Sequence, residues 1–372
     1  MKFITTLSTI ACLGVILMSC NKEIKNESVV HTISPNLPET APDYLSAMDI
    51  EGQFVFTNEP SHNPTTNEGA QLGRALFYDK ALSLNNRISC GTCHLPEFSF
   101  ADGKALSTGF GEEKTERNTP SLINLQFSNA FFWDMSQSSL EEQVLLPVQN
   151  HIEMGIEDLD YLAEKLEQYD YYPPLFDKAF GSEEITTEGI GMALAQFVRS
   201  ISSKESKFDL AKEDDFADFT AIERVGMQVF QEVGCNDCHG VLGSGFSILE
   251  NGGFFEFDEG GFYGGTGGDS ANIGLDMVYN DQGVGNGIFK VPSLRNIGMT
   301  APYMHDGRFN TLDEVLDHYQ FGVQNHPNLD SRLRDGGVDM NGAEREALKA
   351  FLHTLQDESL VLSERFSNPF EN

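Results

Sequence analysis

Residues 90–94 read CGTCH and residues 235–239 read CNDCH, and these two stretches decide how the rest of the chain is interpreted. In a helical turn, positions i, i+3 and i+4 share one face, which would bring two thiols and an imidazole together. Two thiols at this spacing can bond the vinyl groups of one haem while the histidine binds its iron. We therefore expect two covalently bound haem c groups, with the histidines as proximal ligands. The attachment residues would be Cys90, Cys93 and His94 for the first haem, and Cys235, Cys238 and His239 for the second.

The distribution of the cysteines supports haem over the alternatives. The chain has six cysteines, and the two outside these stretches, Cys12 and Cys20, lie near the N-terminus. A zinc site and a redox dithiol are other uses of paired cysteines, and disulfides are common in exported proteins. Two complete matches, in an exported chain with no other cysteine in its mature part, favour haem.

The N-terminus has the features of an export signal. After Met1 and Lys2, an apolar run over residues 10–18 is too short to cross a bilayer comfortably. It leads into the sequence LMSC, which ends at Cys20 and is typical of a bacterial lipoprotein signal; an ordinary secretory signal cut nearby is the alternative. We expect a signal peptide over residues 1–19 and a lipid anchor at Cys20. The mature protein would be periplasmic or anchored to the outer membrane, with a flexible tether over the polar residues 20–60.

The composition is strongly acidic. The 372 residues carry a formal net charge of −33, which repels phosphate backbones, so no nucleic-acid partner is expected. The same charge would steer a basic partner to the surface, although a well-solvated acidic surface is the simpler interpretation. The length is sufficient for two domains with ordinary cores.

The chain also repeats itself outside the two cysteine stretches. Residues 119–148, TPSLINLQFSNAFFWDMSQSSLEEQVLLPV, align without a gap with residues 291–320, VPSLRNIGMTAPYMHDGRFNTLDEVLDHYQ, at an offset of 172. Apolar residues at helical spacing occur in several segments. We therefore expect a mainly α protein with two cytochrome c-like haem domains related by internal duplication. The N-terminal domain would cover residues 61–210 and the C-terminal domain residues 211–360, with the Gly-rich residues 240–287 as a long loop.

The repeat predicts two unequal haem sites. In a single-haem cytochrome c, the segment after the haem supplies the sixth iron ligand from the opposite face of the ring. The second copy has His318 and Tyr319 at this position, and both side chains can bind a metal. The first copy has Leu146 and Pro147, whose side chains cannot bind iron. One haem would therefore be closed and the other open to small molecules, which suits a redox enzyme better than a simple electron carrier.

Polar residues near Pro147 could serve the open haem. Gln143 lies one helical turn before Pro147, and His151 and Glu153 follow it. A carboxylate near the iron could move a proton between the two oxygens of a peroxide, and an amide could orient the molecule. A solvated surface position is the alternative for any single glutamate of so acidic a chain.

Trp133 is the only tryptophan, and it aligns with His305 in the repeat. We expect both positions to lie near the haem edges, although a place in the core is the commoner role of a lone tryptophan.

Several stretches resemble the bacterial di-haem cytochrome c peroxidases and the related methylamine-utilisation protein MauG. The resemblance covers roughly residues 65–356 and includes LGRALFYDKALSLNNRISCGTCH, RNTPSLIN, FFWD, SLEEQ, EMG, FKVPSLRN and TAPYMHDGRF. It implies a peroxidatic N-terminal haem and an electron-transferring C-terminal haem.

The resemblance also implies roles for individual residues. Four of them belong to the peroxidatic site and the path between the haems: Glu153 as the distal catalytic glutamate, Gln143 as the distal glutamine, Pro147 as the distal proline and Trp133 as the tryptophan between the haems. Three more match positions that bind one calcium ion between the domains: Asn118, and Thr300 and Pro302 through their carbonyls.

Three positions depart from the pattern of the peroxidases. Many of them carry a blocking histidine in the segment that matches LSTGFG, where this chain has Phe110, so the first haem is expected to be open at rest. FFWD continues with Met135 and Ser136 instead of Gly-Arg, for which we have no account. Tyr319 stands where the peroxidases have a methionine and MauG has a tyrosine, and a phenolate favours ferric iron more than a thioether does. The comparison favours Tyr319 over His318 as the ligand, with Met304 as a weaker substitute.

These features lead to a ranked set of functions. The first is a di-haem peroxidase that reduces hydrogen peroxide to water with electrons from a small donor protein, a cytochrome c or a cupredoxin. The second is a MauG-like oxidant that uses peroxide to modify a partner protein or an organic molecule, and the third is an electron-transfer module without catalysis. Because the family is often dimeric, a homodimer is also an expectation.

Overall fold

The computed structural model describes residues 34–48, 57–239, 245–248, 254–257, 270–275, 281, 283–285, 287–334 and 336–371. The expected signal peptide, the expected anchor at Cys20 and the first part of the expected tether lie outside these residues. Helices form nearly all the regular structure of the described part, which confirms a mainly α protein. No helix of the described part is long and apolar enough to cross a membrane.

The helices are numbered in chain order, and most are short. They are α1 (Leu45–Met48), α2 (Asn67–Tyr78), α3 (Cys90–Cys93), α4 (Leu140–Gln143), α5 (Leu146–Gln149), α6 (Leu159–Leu166), α7 (Tyr172–Phe180), α8 (Thr187–Ser200), α9 (Lys207–Ala211), α10 (Ala221–Glu232), α11 (Asn236–His239), α12 (Leu312–Asp317), α13 (Gly342–His353) and α14 (Glu358–Leu362), with a π-helix over His318–Gly322. Short 3₁₀ helices lie at Lys80–Leu82, Pro96–Phe98, Leu125–Phe127, Lys212–Asp214, Ile297–Met299, Ser331–Leu333 and Glu364–Phe366.

Side-chain caps begin the four longest helices. Thr66 and Thr186 accept from the backbone amides of Gly69 and Gly189, each at 3.0 Å, at the starts of α2 and α8. Thr220 and Asn341 begin α10 and α13 with capping boxes, in which a glutamate three residues on bonds back to the cap. Such caps satisfy amides that the first turn leaves without partners, at about 1 kcal/mol each.

These four helices form two packed pairs, α2 with α8 and α10 with α13. Each pair has a glycine at the contact, because a Cβ atom on Gly73 would collide with the carbonyl oxygen of Ala193, and one on Gly226 with that of Ala347. One cysteine stretch follows α2 and the other follows α10. The two pairs are therefore the frames that hold the two attachment stretches.

Each helix pair has its own hydrophobic core. The first core includes Leu72, Phe77, Leu194 and Phe197, and the second includes Phe208, Phe230, Leu348 and Phe351. The packing changes between Ile201, in the first core, and Phe208, in the second. Burying each large apolar side chain contributes roughly 1.5–3 kcal/mol, so the two cores account for most of the favourable burial.

Both ends of the described chain pack against the first core. Tyr44 is fully buried, and its hydroxyl donates to the carbonyl of Arg365 at 3.1 Å. Phe366 returns to the same core, where its carbonyl accepts from the hydroxyl of Tyr78 at 2.6 Å. The described end of the segment expected to be a tether, residues 34–48, is therefore packed, because Tyr44 finds an apolar site between Phe197 and Phe366.

The strands of the described part are short. Strand β1 (Gly245–Ile248) pairs antiparallel with β2 (Phe254–Phe257), and β3 (Ser270–Ala271) pairs antiparallel with β4 (Phe289–Lys290). The segment expected to be a long loop thus contains short antiparallel strands in its described part.

Local backbone geometry recurs at the offset of the sequence repeat. Asn124 and Asn296 both adopt left-handed φ values, of 56° in each case, immediately before a 3₁₀ helix. A single bridge joins Phe131 to Gln137, and another joins Tyr303 to Phe309, 172 residues further on.

Candidate functional site

A cavity of about 960 Å³ is lined by residues from both halves of the chain and reaches both attachment stretches. Its volume is at the upper end of the range for ligand sites in proteins. His94 from the first half and His239 from the second both line it. Gln143, Pro147 and Glu153 line the same cavity, as do Trp133, Tyr319 and His305. The residues predicted from distant parts of the sequence therefore meet at one site.

The first attachment stretch forms one helical turn. Ser89 and Thr92 make a capping box at the start of α3, and the His94 amide donates to the carbonyl of Cys90 at 2.9 Å. The ring nitrogen Nδ1 of His94 lies 2.7 Å from the carbonyl oxygen of Phe100, an acceptor, so Nδ1 carries the proton. Nε2 then remains as the nitrogen that can bind a metal, the usual arrangement of ligating histidines.

The second stretch repeats this arrangement. Nδ1 of His239 lies 3.0 Å from the carbonyl oxygen of Pro292 and donates to it. Burial lowers the pKa of His239 to about 4, which keeps the imidazole neutral and able to bind iron at neutral pH.

The donor sets at both stretches fit covalent haem. Cys90, Cys93, Cys235 and Cys238 are thiols rather than disulfides. Burial raises the pKa of Cys90 and of Cys235 to about 12, so both are protonated thiols and available for thioether formation. Two thiols and one oriented imidazole beside a cavity are what each haem requires. Cys235 and Cys238 line the large cavity, whereas Cys90 and Cys93 line a smaller pocket that shares His94 with it.

Helices α4 and α5 and the turn after them form the part of the cavity wall that contains the predicted distal residues. Gln143 ends α4, and Leu146 and Pro147 begin α5. Proline is tolerated there, because backbone amides in the first turn of a helix have no carbonyl partner within the helix. All three side chains line the cavity. Neither Leu146 nor Pro147 offers an atom that binds iron.

Glu153 is the carboxyl group on this side of the cavity. Nδ2 of Asn150 donates to its Oε1 at 3.1 Å, and Oδ1 of Asn150 accepts from the Glu153 backbone amide at 3.3 Å. Removal from water raises the pKa of Glu153 to about 7. The group can thus hold or release a proton near neutral pH, as a general acid–base requires. Sequence reasoning missed Asn150, although its place in QNHIEMG was a signal.

Phe110 and His151 flank Glu153 differently. The Phe110 amide donates to the Glu153 carbonyl at 2.9 Å, and its ring packs over Gly155, which has a φ of 76°. The Phe110 side chain thus packs against the turn at Gly155 and does not line the cavity. His151 lines the cavity from an exposed position.

Tyr319 faces the cavity from the π-helix His318–Gly322, which continues α12. A π-helical turn inserts an extra residue and is often found at functional sites. Burial is the largest cause that raises the pKa of the Tyr319 phenol, and the nearby Cys238 and Cys235 raise it further. The tyrosine therefore lies close to the second attachment stretch.

His318, its neighbour, has a different partner. Its Nε2 lies 2.8 Å from the carbonyl oxygen of Ile273, so this nitrogen bonds the backbone, and the residue does not line the cavity. Met304 does line the cavity.

Trp133 bridges the two halves of the molecule. Its indole Nε1 donates to the carbonyl of Asn118 at 2.9 Å, and its own carbonyl accepts from the amide of Lys290 at 2.8 Å. The Asn118 amide in turn donates to the carbonyl of His305 at 2.7 Å. The His305 ring stacks on Phe289, with centroids 3.9 Å apart and planes 13° from parallel. Both members of the Trp133–His305 pair thus lie at the junction.

Arg117 forms two ion pairs at this junction, and no role for it was predicted from the sequence. Its guanidinium contacts Asp134 at 2.8 Å and Asp281 at 2.5 Å, so it joins the residue after Trp133 to the distant loop. The only signal in the sequence was its place before Asn118 in RNTPSLIN.

The three expected calcium ligands lie along the cavity wall. Nδ2 of Asn118 donates to the carbonyl of Lys104 at 2.9 Å, which leaves Oδ1 as the side-chain atom suited to a cation. No cluster of three or more His, Cys, Asp or Glu side chains arranged for a metal ion occurs in the described part of the chain. The expected calcium ligands are an asparagine side chain and two backbone carbonyls, which do not belong to these residue types.

Comparison with known proteins gives consistent results. A sequence model of the di-haem cytochrome c peroxidase family matches residues 67–216. The methylamine utilization protein MauG of Methylorubrum extorquens is 35% identical over 82% of this chain and 82% of its own length. Cytochrome c551 peroxidase of Nitrosomonas europaea is 33% identical over 73% of this chain and 80% of its own length. A solved MauG-like protein associated with microbial copper homeostasis has a TM-score of 0.73 at 32% identity, over 87% of this chain and 99% of that chain.

Proposed function

Because the chain belongs to the di-haem cytochrome c peroxidase family, we propose that it is an exported enzyme that reduces hydrogen peroxide to water with electrons from a small redox protein. The chain is an oxidoreductase of the peroxidase type, and its family implies two c-type haems. When bound, these haems would supply the iron chemistry: peroxide reduction at the first site and electron transfer at the second.

The inequality of the two distal sides is the observation that carries this proposal. On the first side, the proposed distal residues Leu146 and Pro147 line the cavity, and neither side chain has an atom that binds iron. On the second side, Tyr319 lines the cavity and is the proposed sixth ligand opposite His239. A site without a protein ligand can accept a small molecule, whereas a closed site is suited to exchanging electrons.

Glu153 is the proposed proton carrier of the first site. A pKa of about 7 allows its carboxylate to take the proton from one peroxide oxygen and return it to the oxygen that leaves as water. Asn150 fixes the orientation of the carboxyl through its bond to Oε1. Gln143, on the wall of the same cavity, is the proposed amide that orients peroxide.

Trp133 is the proposed electron path between the sites. Its indole bonds the first half at Asn118, and its carbonyl bonds the second half at Lys290. The His305–Phe289 stack lies on the same wall and supports the junction.

Turnover with a protein donor tests the proposal. Purified protein with both haems should oxidise a reduced small cytochrome or cupredoxin when peroxide is added, and the Glu153→Gln variant should lose most of this activity. Failure of the wild type with every donor of both classes would overturn the proposal.

A MauG-like oxidation is the second candidate. It is supported by Phe110, which covers Gly155 away from the cavity, by Tyr319 in place of a methionine, and by the identity to MauG. In this case peroxide would be used to oxidise a partner protein or an organic molecule. A long-lived oxidised state of the diferric protein after peroxide, with little turnover of small donors, would favour this candidate.

Four further features belong to the proposal. The recurrence of backbone geometry at an offset of 172 supports two cytochrome c-like domains, over residues 61–210 and 211–360, that arose by duplication.

Asn118, Thr300 and Pro302 are the proposed ligands of one calcium ion. Export by the signal over residues 1–19, with a lipid at Cys20, would place the enzyme in the periplasm or on the outer membrane, and we propose a homodimer from the family.

A further inference from the structure

Lys290 is the unusual cation of the cavity wall. Three arginines, Arg117, Arg295 and Arg332, also line the cavity, and each is held by an aspartate within 2.7 Å. Within the described part of the chain, the ammonium group of Lys290 makes only one polar contact, with the carbonyl of the next residue, Val291, at 3.5 Å. This distance is too long for a strong hydrogen bond.

The surroundings of Lys290 disfavour the charged form of its side chain. Removal from water lowers its pKa to about 8. Among the described residues, no carboxylate forms an ion pair with it. A cation in such surroundings is costly unless it is paired, so an unpaired lysine on a cavity wall indicates an anionic group of the ligand. The backbone of Lys290 is fixed, because it lies in β4 and its amide donates to the carbonyl of Trp133. The side chain therefore starts from a fixed point on the cavity wall.

This place belongs to the second attachment site. Lys290 is close enough to His239 for its charge to lower the pKa of that imidazole, and it precedes Pro292, the carbonyl partner of His239, by two residues. The group that would occupy this part of the cavity is a haem, and every haem c carries two propionate carboxylates.

We propose that the ammonium group of Lys290 pairs with a propionate of the haem attached at Cys235 and Cys238, and that it raises the reduction potential of this haem. The inference rests on the two haems of the proposed function. Lys290 would act on this haem through its charge, because a positive charge beside a propionate favours the reduced iron, which carries one positive charge less. It would partly offset the preference for ferric iron that the Tyr319 phenolate imposes.

Potentiometric titration of the holoprotein tests the inference. In Lys290→Gln, the equilibrium constant for reduction of the second haem should fall roughly tenfold, or about 59 mV for one electron. Lys290→Arg keeps the charge and should stay within about threefold of the wild type. Resonance Raman spectra should show a shifted propionate-bending band in Lys290→Gln, and Lys290→Met should reproduce both changes.

Lys165 provides a matched control. It is also an enclosed lysine with a pKa lowered to about 8, but it bonds the carbonyl of Ser83 in the first half. Lys165→Gln should therefore leave the potential and the band of the second haem unchanged.

The outcomes separate this inference from the proposed function. A wild-type chain with fewer than two haems, counted by pyridine haemochrome, would overturn the cofactor proposal and this inference with it. Two haems with an unmoved potential and band in Lys290→Gln, or an arginine variant as low as the glutamine variant, would overturn this inference alone. If Lys290→Gln and Lys290→Met lose the second haem and Lys290→Arg keeps it, the pairing is supported; if all three lose it, the pairing is overturned, because charge alone does not restore binding.

Discussion

The side-chain amide of Asn150 lies 3.1 Å from Oε1 of Glu153, and the two side chains are linked a second time through the Glu153 backbone amide. This short loop holds a carboxyl group at the edge of the cavity in one orientation. It also makes the role of Glu153 open to a direct test.

Replacing Glu153 by glutamine should lower kcat/KM for peroxide by roughly 10²–10⁴-fold, because the variant cannot move a proton. The rate is measured by stopped-flow oxidation of a reduced donor. Glu157→Gln is the control, since Glu157 is exposed, follows Glu153 by four residues and lies outside the cavity. Equal rates in both variants would exclude Glu153 as the proton carrier.

The pH dependence of the same reaction should follow Glu153. As a base it must be ionised, so kcat/KM should rise with pH through about 7, the raised pKa of this carboxyl group. Asn150→Ala removes a donor that favours the ionised form, and should move this rise to higher pH. A profile flat between pH 5 and 8, within the range where the fold is intact, would contradict the assignment.

The same pKa has a consequence for stability with a definite sign. Because the folded-state pKa is raised from about 4.3 in an unfolded chain to about 7, the neutral carboxyl stabilises the fold fully below pH 4. This contribution is lost as the pH rises through 7. The free energy of unfolding of the wild type should therefore fall, relative to Glu153→Gln, between pH 4 and 7, as urea titrations at several pH values would reveal.

Tyr319→Phe should open the second haem. Removal of the phenol takes away the proposed sixth ligand, so electron paramagnetic resonance of the resting protein should lose a low-spin ferric signal and gain a high-spin one. His318→Gln is the comparison, because His318 bonds the carbonyl of Ile273 and does not line the cavity. A low-spin signal that survives in Tyr319→Phe and disappears in His318→Gln would reverse the assignment.

A buried ion pair supports the distal helix α4. Arg199 is fully buried and donates to Glu141 at 2.7 Å, two residues before Gln143. Arg199→Met leaves the Glu141 carboxylate buried without its cation, and should lower the free energy of unfolding by about 3–5 kcal/mol in urea titrations of the holoprotein. Arg87→Met is the control, since the Arg87–Glu112 pair is exposed and 3.8 Å apart, and should cost less than about 1 kcal/mol. A loss of the same small size in both variants would refute a supporting role for Arg199.

Short-range patterns in the sequence were sufficient for the attachment sites and the helices. The Cys-x-x-Cys-His spacing is local chemistry, and apolar periodicity with threonine or asparagine caps is local geometry. The two unequal distal positions stay a prediction from the repeat, in which Leu146 and Pro147 align with His318 and Tyr319.

Long-range contacts decided what the sequence left open. His318 bonds the carbonyl of Ile273, 45 residues earlier, whereas Tyr319, its neighbour in the π-helix, lines the cavity. Arg117 and Lys290 depend on partners or surroundings that no local pattern contains. Asn150 is a different case, because it bonds Glu153 only three residues further on. The return of Phe366 to the first core likewise depends on tertiary packing, since the apolar character of that residue does not say which core it joins.

The contact between Phe366 and Tyr78 joins parts of the chain that lie far apart in sequence. The Phe366 carbonyl accepts from the Tyr78 hydroxyl, and the Tyr78 ring lies against Gly91 in the turn that carries Cys90 and Cys93. The first attachment stretch is therefore supported by a segment 288 residues beyond Tyr78. A protease that cut between the two helix pairs would separate this stretch from its support even if every residue near Cys90 stayed in place.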